Sequence, residues 1–203
     1  MRIPYIAVFF FVTIHELCHS LVAKRFGIPV REIMLLPIGG VSKMEKAPEK
    51  PREELLISLA GPLSNVAIVA VFYFPLKHLL GAGVLLHPLS TNSWPLAIAY
   101  AYWINLMLAG FNMLPAFPMD GGRVLRALLA TRIGYYKATR VAVALGRLFA
   151  IALAFFGIIQ AHLIMILIAI FIFMAASNEQ FQADIKETLK KNMVRDILLK
   201  IRR

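Results

Sequence analysis

Five apolar segments, from about Ile3 to Ala23, Leu55 to Leu76, Trp94 to Leu114, Ala142 to Ile159 and Ala161 to Ala176, dominate this 203-residue chain. Each comes near the ~20 residues with which a helix crosses a bilayer. Lipid offers backbone amides no hydrogen-bond partner outside a helix or a closed barrel, so the pattern predicts an all-α polytopic membrane protein with about five transmembrane helices. The last two segments are divided only by Gln160 and His162, just after Gly157, and together exceed one crossing, which reads as a tight helical hairpin. The chain is 60% apolar and 16% charged, against roughly 45–50% and about 25% in soluble domains. That excludes a disordered chain, and because the net charge of +11 comes from residues flanking the apolar runs, no nucleic-acid partner is expected. The lipid bilayer is. The single cysteine, Cys18, permits no intrachain disulfide.

Lys and Arg set the sidedness. Counted along the successive connections they number 1, 7, 1, 6, 0 and 7. By the positive-inside rule the loop 24–52, the region 123–147 and the C-terminus are cytoplasmic, and the N-terminus is outside. Arg147 then has to snorkel from within the fourth segment. An outside N-terminus leads to the expectation of a six-helix core lacking its first span here. The competing reading, a leader opened by Arg2 and Ile6 to Ile14, would cut next to or remove the ionisable cluster that follows it. Between the first two spans, residues 31–44 place Gly39 and Gly40 between short β-prone runs. This stretch reads either as a small membrane-associated β-hairpin or as a plain connecting loop. The division expected is a transmembrane core over 1–177 and a cytoplasmic tail over 178–203.

Charge inside a bilayer costs ~2.5–3.5 kcal/mol on insertion scales, so acids within or beside the spans are informative. There are two, Glu16 and Asp120. Glu16 belongs to His15-Glu16-Leu17-Cys18-His19, an H-E-x-x-H pattern in which the histidines sit one helical turn and only about 40° apart, able to reach one zinc ion. Glu16 beside them is placed to act on a zinc-bound water rather than to ligate. Catalytic zinc usually has three protein ligands, and Asp120 is the candidate third. It follows Pro115 and Pro118 and precedes Gly121 and Gly122, where a broken helix would free backbone groups beside a cavity. The alternative for Asp120 is an N-cap of the next helix, with Arg123 or Arg126 as counter-ion. Cys18 lies about 60° from His15 and about 100° from His19, a poor match to their face, and reads as a packing residue. His78, His87 and His162 fall on the outer side without partners at ligand spacing and read as solvated. Trp94, Trp103, Tyr100 and Tyr102 read as interface anchors and packing. Gly61, Pro62 and Asn65 are open to two readings, a kink facing the site or small-residue helix packing.

Three motifs in order, His15 to His19, Gly61-Pro-Leu-Ser-Asn65 and Asn112-Met-Leu-Pro-Ala-Phe-Pro-Met-Asp-Gly-Gly122, resemble the site-2 protease family of intramembrane zinc metalloproteases. The likeness is greatest to the prokaryotic branch with C-terminal CBS domains, and it extends over about Ile3 to Ala176. It implies one Zn2+ per chain held by His15, His19 and Asp120, Glu16 as general base, and Asn112 near the scissile peptide or its oxyanion. It also implies an enzyme of a prokaryotic cell membrane that cuts transmembrane or membrane-anchored substrates near the cytoplasmic side. The family core has a further span before the H-E-x-x-H helix, and Asn192 to Leu198 resembles the opening of a CBS domain. The alternative function is a transporter or ion pathway in which Glu16, Asp120, His15 and His19 form a proton or metal relay.

Overall fold

The computed structural model describes residues 3–36, 39–44, 48, 50–81 and 94–201. Helix α1 spans Ile3–Arg25, strands β1 Val30–Leu36 and β2 Gly39–Met44, and helices α2 Pro51–Leu80, α3 Trp94–Asn112, α4 Asp120–Ile133, α5 Tyr135–Ile159 and α6 Leu163–Ile201. Each of the five apolar segments lies within or largely within one of the long helices. Among the described residues three stretches are long and apolar enough to cross a membrane: Pro51–Leu79, Tyr135–Ile159 and Leu163–Lys190, with only 28%, 28% and 17% of their most apolar windows buried in protein. Phe74, Leu148, Leu163 and Met174 face outward. Apolar surface on this scale needs lipid as its solvent, and the protein is an integral membrane protein. The chain forms two compact units, residues 1–114 and 115–203.

In the first unit α1 packs on α2 and α3, and α2 packs on α3. Hydroxyls within α1 bond back into their own helix, Thr13 Oγ1 donating to the Phe9 carbonyl at 2.6 Å and Ser20 Oγ to the Glu16 carbonyl at 2.9 Å. Such back-bonding lets a polar side chain sit in an apolar span. After α1 the chain turns at Gly27, and β1 and β2 pair antiparallel from Val30 opposite Met44 to Leu36 opposite Gly39, with a register shift between Val30 and Glu32. Ala23, Ile28 and Ile57 form a buried cluster under this pair, supported by Val22 and Val30. Farther along α2, Leu76 packs on Ala99 and Tyr102 of α3.

The second unit opens with a loop clamped onto α5. Phe117 is fully buried with Ala142, Val143 and Ala176, and its N–H donates to the Ala142 carbonyl at 3.3 Å. Gly146 makes this approach possible, since a Cβ there would run into the Phe117 carbonyl oxygen. The Phe117–Pro118 bond is cis. Arg126 of α4 lies over the Phe117 ring at 4.7 Å and the Tyr135 ring at 4.8 Å, and its Nη1 reaches Glu179 Oε2 of α6 at 3.2 Å. Helices α4 and α5 are separated by Gly134 alone, whose φ of +81 is a conformation that side chains disfavour.

The hairpin between α5 and α6 closes in a Schellman turn. The Ala161 N–H donates to the Ile158 carbonyl at 3.1 Å and the His162 N–H to the Gly157 carbonyl at 2.8 Å, with Ala161 at φ +49. Arg147 does not reach outward alone. It is partly buried, Nε donating to Ser177 Oγ at 3.3 Å with the guanidinium 5.7 Å from the Phe173 ring centre, so α6 supplies its polar contact. Helix α6 runs unbroken past residue 177.

Candidate metal centre

His15 and His19 are both buried, at 3% and 5% exposure, on the side of α1 that meets α2. Their rings stand almost perpendicular, at 83°, with centroids 4.7 Å apart and the two Nε2 atoms at 3.1 Å. Glu16, partly buried, completes a group whose ligand atoms all lie within 4.8 Å of one another. A four-residue spacing on a helix dictates this: the histidines share a face, and the residue following His15 flanks it.

Helix α2 supplies the back wall through Ile57, Gly61 and Asn65, which recur every four residues and so form one stripe. His19 Nδ1 lies 2.6 Å from the Ile57 carbonyl oxygen. A carbonyl only accepts, so Nδ1 carries the proton and Nε2 presents its lone pair. Asn65, fully buried, places its side-chain amide 3.2 Å from His15 Nδ1. Between them, a Cβ on Gly61 would stand 2.6 Å from His15 Nε2 and collide with His19 Nε2. No side chain fits there, and the close approach requires glycine. Pro62 removes the N–H that would bond the Ser58 carbonyl, loosening α2 beside this stripe. From α3, Asn105 Nδ2 donates to the Asn65 backbone carbonyl at 2.8 Å, and Asn105 too is fully buried.

Two imidazole nitrogens 3.1 Å apart suit a pair of ligands each ~2.0–2.1 Å from one zinc-sized ion, with a carboxylate alongside. The residues present fit a metal. Asp120 is outside this group of three; it is the first residue of α4, in the second unit. The helix cap there is Met119, extended at φ −67 and ψ 159, so Asp120 lies one residue inside the alternative N-cap position. The cause is the preceding turn, in which the Met119 N–H donates to the Ala116 carbonyl while the Met119 carbonyl already accepts from Gly122. In that position Asp120 is an acidic residue in the first helical turn, where the helix dipole favours negative charge. Asn112 ends α3 and is partly buried.

Gly61 and Asn65 both lie against the histidines, and Gly61 is also the small residue that lets α1 and α2 pack closely, so the two readings of this stretch meet at Gly61. The Ile57 carbonyl and Asn105 had no sequence signal, since a main-chain acceptor and a lone Asn in an apolar run are ordinary. Cys18 is a partly buried free thiol. His78 and His162 are exposed, Tyr102 and Trp103 partly buried, and His87 lies outside the described residues.

The chain has relatives among known proteins. The sequence model of Peptidase family M50 matches residues 4–87 and 82–156. A zinc metalloprotease of Methanocaldococcus jannaschii is 38% identical over 194 residues, 96% of this chain and 54% of that protein. A putative zinc metalloprotease of Synechocystis is 32% identical over 93% of this chain and 49% of its own length. The chain thus spans about half the length of these curated relatives. Among solved structures, the site-2 protease from Methanocaldococcus jannaschii superposes with a TM-score of 0.68 at 39% identity, covering 88% of this chain and 77% of that one.

Proposed function

The chain belongs to Peptidase family M50, and on that premise we propose that it is an intramembrane zinc endopeptidase whose metal is held by His15, His19 and Asp120. The observation that carries the reading is the buried imidazole pair, with Nε2 atoms 3.1 Å apart and Glu16 beside them. Bound there, zinc would supply Lewis acidity toward a peptide carbonyl and lower the pKa of water at the site. Glu16 accepts the proton of the attacking water and returns it to the leaving amine. Asn112 donates from its side-chain amide to the developing oxyanion. Gly61 and the α2 stripe hold the histidines in place and exclude other side chains from the metal.

The substrate is a transmembrane or membrane-anchored protein, entering as a locally unwound segment. An extended segment of the substrate adds as a further strand to the edge of the β1–β2 pair, along Ile33 to Val41. The basic connections argue for a cytoplasmic C-terminus and a site opening to the cytoplasm. The stretch from Asn192 to Leu198 we read, on sequence resemblance, as the opening of a CBS domain. The relay alternative is not favoured, because a relay distributes ionisable groups through the depth of the bilayer, whereas His15, Glu16 and His19 gather within one turn of α1.

Metal content tests the ligand set. Wild type purified in detergent and loaded with zinc is expected to hold about one ion per chain. His19→Ala and Asp120→Ala are expected to lose it. Unchanged affinity in Asp120→Ala removes that residue from the ligand set, and a wild type that takes up no zinc removes the function.

A further inference from the structure

We infer that Asn65 is a positioning residue for His15, presenting its amide oxygen rather than its nitrogen to the ring and thereby directing the His15 Nε2 lone pair at the metal. This rests on the zinc reading above and adds to it a residue that does not itself touch the ion. Asn65 Nδ2 stands 3.2 Å from His15 Nδ1, but the two ends of an amide exchange by a half-turn of the side chain, and the neighbours decide which end goes where.

Ser64 decides it. Its hydroxyl has one proton, and that proton goes to the Gly61 carbonyl at 2.6 Å. What Ser64 Oγ turns toward the Asn65 amide, 3.5 Å away, is therefore a lone pair. An oxygen at that end of the amide meets it with no proton between them, whereas a nitrogen donates to it. With nitrogen toward Ser64, the oxygen faces His15 and accepts from Nδ1–H. His15 then has the same tautomer that the Ile57 carbonyl imposes on His19. Both Nε2 lone pairs converge at 3.1 Å, an arrangement that favours a shared cation.

The opposite amide orientation has a different result. Nδ2–H would donate to His15 Nδ1, moving the ring proton to Nε2, where it would point at His19 Nε2 and close a hydrogen bond between the two histidines. No lone pair on His15 would then remain for a metal. One amide orientation thus separates a ligand pair from a self-bonded pair. Asn105, donating at 2.8 Å to the Asn65 carbonyl, fixes the backbone from which this side chain projects.

The test uses Asn65→Asp and Asn65→Ala in the full chain, with zinc affinity from chelator competition and the visible absorption of the cobalt-substituted protein as readouts besides activity. A carboxylate accepts at both ends and donates at neither. Made together with Ser64→Ala, so that its second oxygen meets no serine lone pair, Asn65→Asp is therefore expected to bind zinc within about threefold of Ser64→Ala alone and keep its cobalt spectrum, while Asn65→Ala loses roughly 10–100-fold in affinity, the range typical of partners behind a metal-bound histidine. A metal-free melting curve checks that each variant folds. Should Asn65→Ala fail to fold, Asn65→Asp in the Ser64→Ala background decides: loss of metal there means the amide nitrogen was the required group, and the inference fails. It fails equally if Asn65→Ala binds zinc as wild type does. A wild type without zinc affinity would instead overturn the parent reading, an outcome distinct from either.

Discussion

Replacing Gly61 by alanine adds one methyl group at the point where α2 touches the histidine pair. Its Cβ would lie 2.6 Å from His15 Nε2 and 2.7 Å from His15 Cε1, where ordinary contact begins at 3.4 Å. The imidazoles have little room to retreat, because His19 is held by the Ile57 carbonyl at 2.6 Å and His15 lies 3.2 Å from the Asn65 amide. Overpacking of this kind costs ~1–3 kcal/mol, and giving up one of the two hydrogen bonds adds ~0.5–1.5 kcal/mol. Displaced rings must return against the methyl before they can ligate. At ~1.4 kcal/mol per factor of ten, the penalty corresponds to roughly a 10- to 1,000-fold loss in zinc affinity. Gly110→Ala is the matched control, since nothing lies within 4 Å of a Cβ there. Chelator-competition titration of both variants in detergent measures the difference. Equal zinc affinity in Gly61→Ala and wild type would refute the claim that this close approach shapes the site.

Other expectations follow from the second unit and from sidedness. Arg126→Ala removes the 3.2 Å pair with Glu179, whose side chains are 10% and 27% exposed, together with stacking on Phe117 and Tyr135. It is expected to destabilise by about 1–3 kcal/mol, seen as a lower melting temperature in detergent, and Arg126→Lys should restore only part because it cannot stack as a plane. An unchanged melting temperature would count against the clamp. Ala161→Gly relieves a left-handed backbone at φ +49 and should stabilise the α5–α6 turn by up to ~1 kcal/mol, the strain relief being partly offset by the freedom glycine adds to the unfolded chain. A lower melting temperature would contradict the Schellman assignment. In a Cys18→Ala background, Lys50→Cys should react with an impermeant thiol reagent only from the cytoplasmic side and Gln160→Cys only from outside; reversed labelling would invert the topology.

Helix existence was legible in the sequence because lipid permits so few backbone solutions, but helix ends were not. Helix α5 starts at Tyr135 rather than Ala142, since Lys137 and Arg140 project from a helix surface that hydropathy cannot distinguish from a loop. Helix α6 continues past Ala176 to Ile201 for the same reason. His15 and His19 could be paired from periodicity alone, as four-residue spacing fixes their bearing without help from the rest of the fold. What backs them could not. The Ile57 carbonyl and the amides of Asn65 and Asn105 reach the site only through packing of α1, α2 and α3, and no local pattern encodes which turn of one helix meets which turn of another. Gly61 lay between these cases. A glycine in a span was visible, but only the structure gives it an imidazole pair to accommodate.

Proton transfer by Glu16 at a metal held by other residues is separated from metal binding by Glu16→Gln. The amide keeps the shape of the side chain but cannot accept a proton from water. Wild type and variant, both loaded with zinc and assayed for metal content, are given the same membrane-spanning substrates in detergent or proteoliposomes. Equal zinc is expected in the two proteins, with cleavage slower in the variant by at least the ~10²–10⁴-fold associated with losing a general base. Equal cleavage by both proteins would contradict that role for Glu16.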